Sequence, residues 1–212
     1  MAEPVTYVAR DGDVSQEVIG KLAESIGAGG VVILPTDTIY GLHCDAMNER
    51  AVSSIFQLKL REKKKPLIVL ASSIGQLTEL GVELNQDVES WLASIWPAPL
   101  TAILPLRKPI PASAGTGTIA ARIPSVPWLQ DLAGRVGPLA STSVNVSGRP
   151  AIYNTESVEA RIRKSVAAVL DSGPLSGEPS TVVDFTSGEP RMVREGKFRF
   201  TQDLWKTSRK SL

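Results

Sequence analysis

Five cations fall between residues 59 and 65, in the stretch "KLREKKK": Lys59, Arg61, Lys63, Lys64 and Lys65. Like charges this close repel one another unless an anion or acidic groups stand beside them. A charged run is most often a solvated face. This one joins a helical pattern to the apolar run "PLIVLA" at 66–71, so it is tied to structure at both ends. A polyphosphate is the natural counter-charge, because arginine's planar fork suits phosphate oxygens. Two more arginines stand out. Arg122 is a charge inside the apolar run "TIAARI" at 118–123, and Arg194 closes "RMVR" at 191–194. A charge in a central strand is rarely left unpaired. An internal salt bridge and a substrate carboxylate are equally good partners for Arg122.

Neutral hydrogen-bonding groups form a second set. "PTDTIYGL" (35–42) brings Thr36, Asp37 and Thr38 directly after an apolar run. That is where an open α/β sheet presents its strand ends to ligands; a turn bonded to its own backbone is the alternative. "SVNVSG" (143–148) carries Ser143, Asn145 and Ser147, and "PSTVVD" (179–184) carries Ser180 and Thr181. Hydroxyls and amides bond ribose, phosphate or an amino acid without adding charge. Gly115 and Gly117, just before Thr118, permit close backbone approach to a ligand.

Some chemistries have no material. The chain lacks the G-x-x-x-x-G-K-[ST] phosphate loop. "GAGG" at 27–30 precedes a strand pattern instead of opening a helix, unlike a dinucleotide fingerprint. With one histidine, His43, and one cysteine, Cys44, neither a serine triad nor a histidine or cysteine metal site is expected. His43 reads as a packed side chain beside the site, and Cys44 as a small buried apolar residue. Cations and neutral hydrogen-bonders, with no nucleophile–base pair, suit catalysis by positioning and charge stabilisation, as in phosphoryl or nucleotidyl transfer.

The elements that must position these groups alternate between strand and helix. Asp13 and Gln16 are spaced as a capping box before the stripe Val18, Ile19, Leu22, Ala23 and Ile26. "VVIL" (31–34) predicts a buried strand. Asn48 is placed to cap a helix with Val52, Ile55 and Phe56, and Asn85 one with Val88, Leu92 and Ile95 that ends at Pro97. Strands are predicted at 66–71, 100–104 and 118–123. Ser125 is expected to cap a helix with Pro127 in its first turn, closed by Gly137. Strands near 139–142, 167–170, 181–185 and 191–194 and a helix near 155–164 complete the pattern. Several strand-to-strand steps are short, so the expectation is α/β, a twisted mixed sheet flanked by helices.

The chain has 212 residues, of which 42% are hydrophobic, enough for a substantial core. One domain over 1–212 is expected, with its core at about 12–200 and a polar, frayed C-terminal tail, "WKTSRKSL". Twenty-three basic and 22 acidic residues leave a net charge of +1, so any basic site is local. The first residues lack the pattern of a signal peptide, and no apolar run reaches the ~20 residues of a membrane helix. A cytoplasmic location without membrane contact is expected.

Seven of these motifs, in this order, resemble the YrdC-like L-threonylcarbamoyladenylate synthases of the short, single-domain type. They are "PTDTIYGL", the Lys-x-Arg of 59–61 with the following "KPL", "WPAPLT" (96–101), "ARIP" (121–124), the Ser-x-Asn of 143–145, "STVVD" (180–184) and "VREG" (193–196). The resemblance runs from about Gln16 to Gly196. It implies a YrdC-like fold with a concave basic face. It also implies a nucleotidyltransferase that makes threonylcarbamoyl-AMP and pyrophosphate from L-threonine, bicarbonate and ATP, with Mg2+ accompanying ATP. A downstream transferase would then modify the tRNA adenosine beside the anticodon. Carried over by position, Lys59 and Arg61 are the catalytic cations. Lys59, Arg61, Lys65, Thr118, Asn145 and Arg194 contact ATP, and Thr38, Arg122, Ser143 and Ser180 contact threonine. No protein metal ligand is implied. The chain departs from the family pattern at Ala98, where glycine is common, and near Leu70, where many members carry a histidine. The rival from another class is a non-catalytic module binding double-stranded RNA or tRNA through a basic hollow. Its weakness is an aromatic content of only 5%.

Overall fold

A computed structural model describes residues 3–9, 12–60, 65–187 and 189–209. Among the described residues ten strands form one sheet: β1 (Val5–Val8), β2 (Val32–Leu34), β3 (Gly41–Asp45), β4 (Ile68–Leu70), β5 (Leu100–Pro105), β6 (Thr118–Arg122), β7 (Leu139–Ser143), β8 (Ala168–Asp171), β9 (Thr181–Asp184) and β10 (Arg191–Arg194). The spatial order is β1-β8-β2-β3-β7-β4-β6-β5-β9-β10. Pairing is mixed, as short connections require. β8 runs parallel to β1 and β2, β4 to β6 and β5 to β9, while β3 pairs antiparallel with β2 and β7.

The helices are α1 (Gln16–Gly27), α2 (Glu49–Lys59), α3 (Ile74–Glu79), α4 (Gln86–Ile95), α5 (Pro127–Val136), α6 (Ala160–Arg163) and α7 (Gln202–Arg209). Alternate strand residues point to opposite faces, and the two faces are filled differently. One carries the larger core, where Ile33, Leu42, Val69, Leu104, Ala121 and Val169 meet α2 and α4 residues such as Ile55, Trp91 and Leu92. The other carries a smaller core of Val32, Leu34, Leu70, Leu139 and Leu170 beneath α1 and α5. This second cover stops partway across. Ala120, Ile103, Val182 and Asp184 lie on the same face by register and are only half-buried. The functional side chains lie where the cover ends.

Local chemistry accounts for most element ends. Asn48 and Asn85 cap α2 and α4 through Ala51 N–H and Val88 N–H, as the sequence predicts. Two caps differ. Ser15, not Asp13, caps α1 by accepting from Val18 N–H; the Asp13 carboxylate takes the Val14 N–H instead. Val126 precedes α5 without a side-chain cap, and Ser125 donates its backbone N–H to Asp37 Oδ2 at 3.2 Å. The helix expected near 155–164 contracts to Ala160–Arg163. The end of the chain also departs from expectation. α7 forms, and Trp205 is 1% exposed within an aromatic cluster with Trp91 and Phe185, each at 5.7 Å. One aromatic anchor outweighs the polar composition around it, since truncating such a residue typically costs ~3–5 kcal/mol.

Candidate active site

The turn "PTDT" between β2 and β3 is built from its own hydroxyls. Thr36 Oγ1 donates to the Ile39 carbonyl and accepts from the Thr38 and Ile39 N–H groups, and it lies 2.9 Å from Thr38 Oγ1. The turn therefore holds Thr38 rigidly, 4% exposed, at the end of the sheet. Arg122, at the end of β6, reaches across to it. Nη1 donates to Thr38 Oγ1 at 3.3 Å, and Nη2 stands 3.4 Å from Asp37 Oδ1. Of the two partners left open for Arg122, the internal carboxylate is present, and the guanidinium also lines a cavity.

That cavity, of about 270 Å³, is lined among others by Thr38, Arg122, Ser141, Ser143, Ser180 and Arg194. Two guanidinium groups share it. Burial depresses the Arg122 pKa, Asp37 opposes this and the Arg194 charge reinforces it. Burial depresses Arg194 as well. A cavity lined by two like charges, of which only Arg122 has an internal carboxylate, attracts an anion. Arg194 is aimed by its bonds to the Ser180 carbonyl, the closest 2.7 Å, and Ser180 Oγ lies 2.9 Å from Thr101 Oγ1. At Gly177 the neighbouring segment crosses directly over the turn. A Cβ there would lie 2.2 Å from the Thr38 carbonyl oxygen, so only glycine fits.

A second hollow, of about 280 Å³, adjoins the first and shares Ser143 with it. Its lining includes Lys59, Leu60, Lys65, Asn145, Ser147 and Gly148. Lys59, in the last turn of α2, is 2% exposed. Its ammonium donates to the Ser143 and Asn145 carbonyls and also approaches Ser143 Oγ at 3.3 Å and Asn145 Oδ1 at 3.4 Å. It therefore organises the backbone of the Ser-x-Asn segment as well as charging the hollow. The Lys59 carbonyl accepts from Ser147 N–H at 3.1 Å, which ties the same loop to α2. The polar run after β7 is thus the wall between two hollows and not merely a turn.

Of the ten expected site residues, Thr38, Arg122, Ser143, Ser180 and Arg194 meet in the first hollow, and Lys59, Lys65, Ser143 and Asn145 in the second. Arg61, with Lys63 and Lys64, lies outside the described residues. Thr118 lines neither hollow. It sits at the other end of β6 from Arg122, opposite Pro105, on the same face. Sequence reasoning missed Tyr40 and Ser141. The Tyr40 hydroxyl donates to the Gly173 carbonyl and accepts from Ser172 N–H, each at 2.8 Å, joining β3 to the end of β8. The unbroken apolar start of "YGLHCD" was the available signal for that strand. Among the described residues no cluster of three metal-ligating side chains occurs, and no helix is long and apolar enough to cross a membrane.

Comparison with known proteins adds independent findings. The Sua5_yciO_yrdC family model, described as "Telomere recombination", matches residues 24–196. A threonylcarbamoyl-AMP synthase of Pseudomonas fluorescens is 37% identical over 174 residues, covering 80% of this chain and 94% of that protein. Among solved structures, Pyrococcus abyssi Sua5 complexed with L-threonine aligns with a TM-score of 0.82 at 31% identity. That alignment covers 92% of this chain but 58% of the Pyrococcus chain, so this sequence spans little more than half of it. Escherichia coli YciO aligns at 25% identity and a TM-score of 0.82, over 95% of this chain and 99% of its own.

Proposed function

The chain belongs to the Sua5/YciO/YrdC family, and from that premise we propose that it is an L-threonylcarbamoyladenylate synthase. The observation that carries this reading is the pair of adjoining hollows with Ser143 in their common wall. In this reading the first, with its two arginines, takes the amino acid, and the second, with its two lysines, takes the polyphosphate. A bond between their occupants would form at the partition.

In this reading the threonine carboxylate sits between Arg122 and Arg194, where its charge relieves the repulsion of the two guanidinium groups. Thr38 and Ser180 supply neutral hydrogen bonds beside it. The neutral threonine amine attacks the carbon of bicarbonate, with loss of water, or of dissolved CO2, with loss of the amine proton to solvent, to form a carbamate. A carbamate oxygen then attacks the ATP α-phosphorus, and the bond to the bridging oxygen breaks to release pyrophosphate. Lys59, Arg61 and Lys65 neutralise charge building on the phosphates, with Asn145 and Ser143 orienting the nucleotide at the partition. Arg194, carried over as a nucleotide contact, lines the first hollow and not the second, and Thr118 lines neither. Mg2+ bound to ATP would supply additional charge neutralisation. The Ser143 and Asn145 oxygens already face the Lys59 ammonium, so Mg2+ would be held by the phosphates and not by these residues. One domain suffices for this chemistry. The product is consumed by a separate transferase acting on tRNA in the cytoplasm.

Pyrophosphate release, measured with each amino acid in turn, tests the reading. The expected signal needs L-threonine, bicarbonate and ATP together. Release with serine but not threonine would overturn the substrate. No ATP turnover combined with RNA affinity that falls steeply with salt would favour the binding-module alternative.

A further inference from the structure

The only histidine of the chain lies immediately behind the amino-acid hollow. His43 stands on β3, opposite Val32 on one side and Ser141 on the other. It is fully buried; the ring faces the Leu34 backbone, but neither nitrogen makes a hydrogen bond of good geometry. Buried polar atoms without partners are uncommon and costly, so this one calls for an explanation. The ring leans along the strand onto Gly41. A Cβ on Gly41 would lie 2.7 Å from His43 Nε2, so the imidazole occupies the space of that missing side chain. Gly41 and Ser141 both line the cavity, which leaves the ring one layer behind its wall.

Residues directly opposite on one face of an antiparallel pair have Cβ atoms about 4.5–5.5 Å apart. A serine hydroxyl turning about its single side-chain torsion can therefore reach the imidazole of its cross-strand neighbour. We propose that His43 is a positioning residue: its imidazole accepts a hydrogen bond from the Ser141 hydroxyl when the hollow is filled, leaving the Ser141 oxygen to accept from the amino group of the bound amino acid. A serine left to rotate would be donor or acceptor indifferently; this arrangement fixes it as an acceptor. Burial pushes the imidazole pKa down to about 3, so one ring nitrogen keeps its lone pair throughout the neutral range. The same shift makes it a poor general base, which is why it acts through Ser141 instead of on the substrate.

The inference rests on the threonine reading of the hollow, and the test separates the two. With a single histidine, imidazole nitrogen spectra of the untagged, 15N-labelled chain carry one residue's signals. Saturating L-threonine is expected to shift the accepting nitrogen as its new bond forms. His43→Leu is expected to raise KM for threonine roughly three- to tenfold, the range for one hydrogen bond, with KM for ATP unchanged. His43→Gln, whose amide oxygen accepts, should recover most of that loss. In a Ser141→Ala background, His43→Leu should add nothing. Unmoved imidazole signals at saturating threonine, or losses that simply add in the double variant, overturn the inference while leaving the function intact. A wild-type chain that neither binds nor uses threonine removes both. Should His43→Leu not fold, the nitrogen spectra and His43→Gln decide alone.

Discussion

The two hollows share a wall but are built by different means. The one around Arg122 is made of strand ends and a tight hydroxyl-bonded turn; Thr38, Arg122 and Ser180 are each 4% exposed. The one around Lys65 is made of loop. Leu60, at the end of α2, has left-handed backbone at φ 50°, and Gly148 has φ 84°. Its buried cation, Lys59, is fastened to the carbonyls of the segment it borders, whereas Lys65 is exposed. The difference teaches how each kind of charge is handled. A carboxylate held in a dry cavity needs its cations fixed beforehand by neighbours. A polyphosphate brings its own solvation and tolerates a looser rim.

Substitutions should expose this difference. Arg122→Ala leaves the Asp37 carboxylate buried without its cation and is expected to destabilise the fold by about 3–5 kcal/mol and to abolish threonine binding. Lys65→Ala should change unfolding free energy by less than about 0.5 kcal/mol, yet slow pyrophosphate release on the order of 10²-fold. Equal stability losses in chemical denaturation would erase the contrast. Gly177→Ala forces the crossing segment off Thr38 and should cost about 1–3 kcal/mol. It should raise KM for threonine and leave KM for ATP alone; a rise in both would mean that the hollows are not separable.

The dry side also carries a pH signature. His43 has an unfolded pKa of 6.5 and a folded pKa of about 3, so the unfolded chain binds a proton that the native chain refuses. Stability from this group is complete above 6.5 and declines as pH falls towards 3, by at most about 1.4 kcal/mol per pH unit. Urea unfolding between pH 7 and 5 should show the decline, and His43→Gln should flatten it. The smallest effect belongs to the loop side. Leu60→Gly removes left-handed strain and should stabilise by about 0.5–1 kcal/mol after the entropy of glycine is subtracted. A loss instead would show that the leucine side chain makes a stabilising contact.

Much of this was legible in the sequence, and the exceptions have physical causes. Asn48 and Asn85 announce their helices because capping is local, and the apolar runs at 31–34 and 100–104 are strands because burial on both faces demands such runs. The residue types of both hollows were readable for the same reason: hydroxyls, amides and arginines in apolar surroundings are conspicuous. What escaped was non-local. "GLHCD" has no β-branched residue and becomes β3 through its partners β2 and β7. Trp205 is anchored by Trp91 and Phe185, residues far from it in sequence. The pairing of Arg122 with Asp37 joins two motifs that give no local sign of each other.

The partition at Ser143 has one more consequence. A molecule made by joining the amino acid to the adenylate, once pyrophosphate has left, keeps the contacts of the first hollow and those of the second that hold the remaining phosphate, while surrendering rigid-body freedom only once. The adduct is therefore expected to leave more slowly than either precursor. Turnover would then be governed by departure, and an acceptor that meets the loaded protein would receive the cargo before water can spoil it.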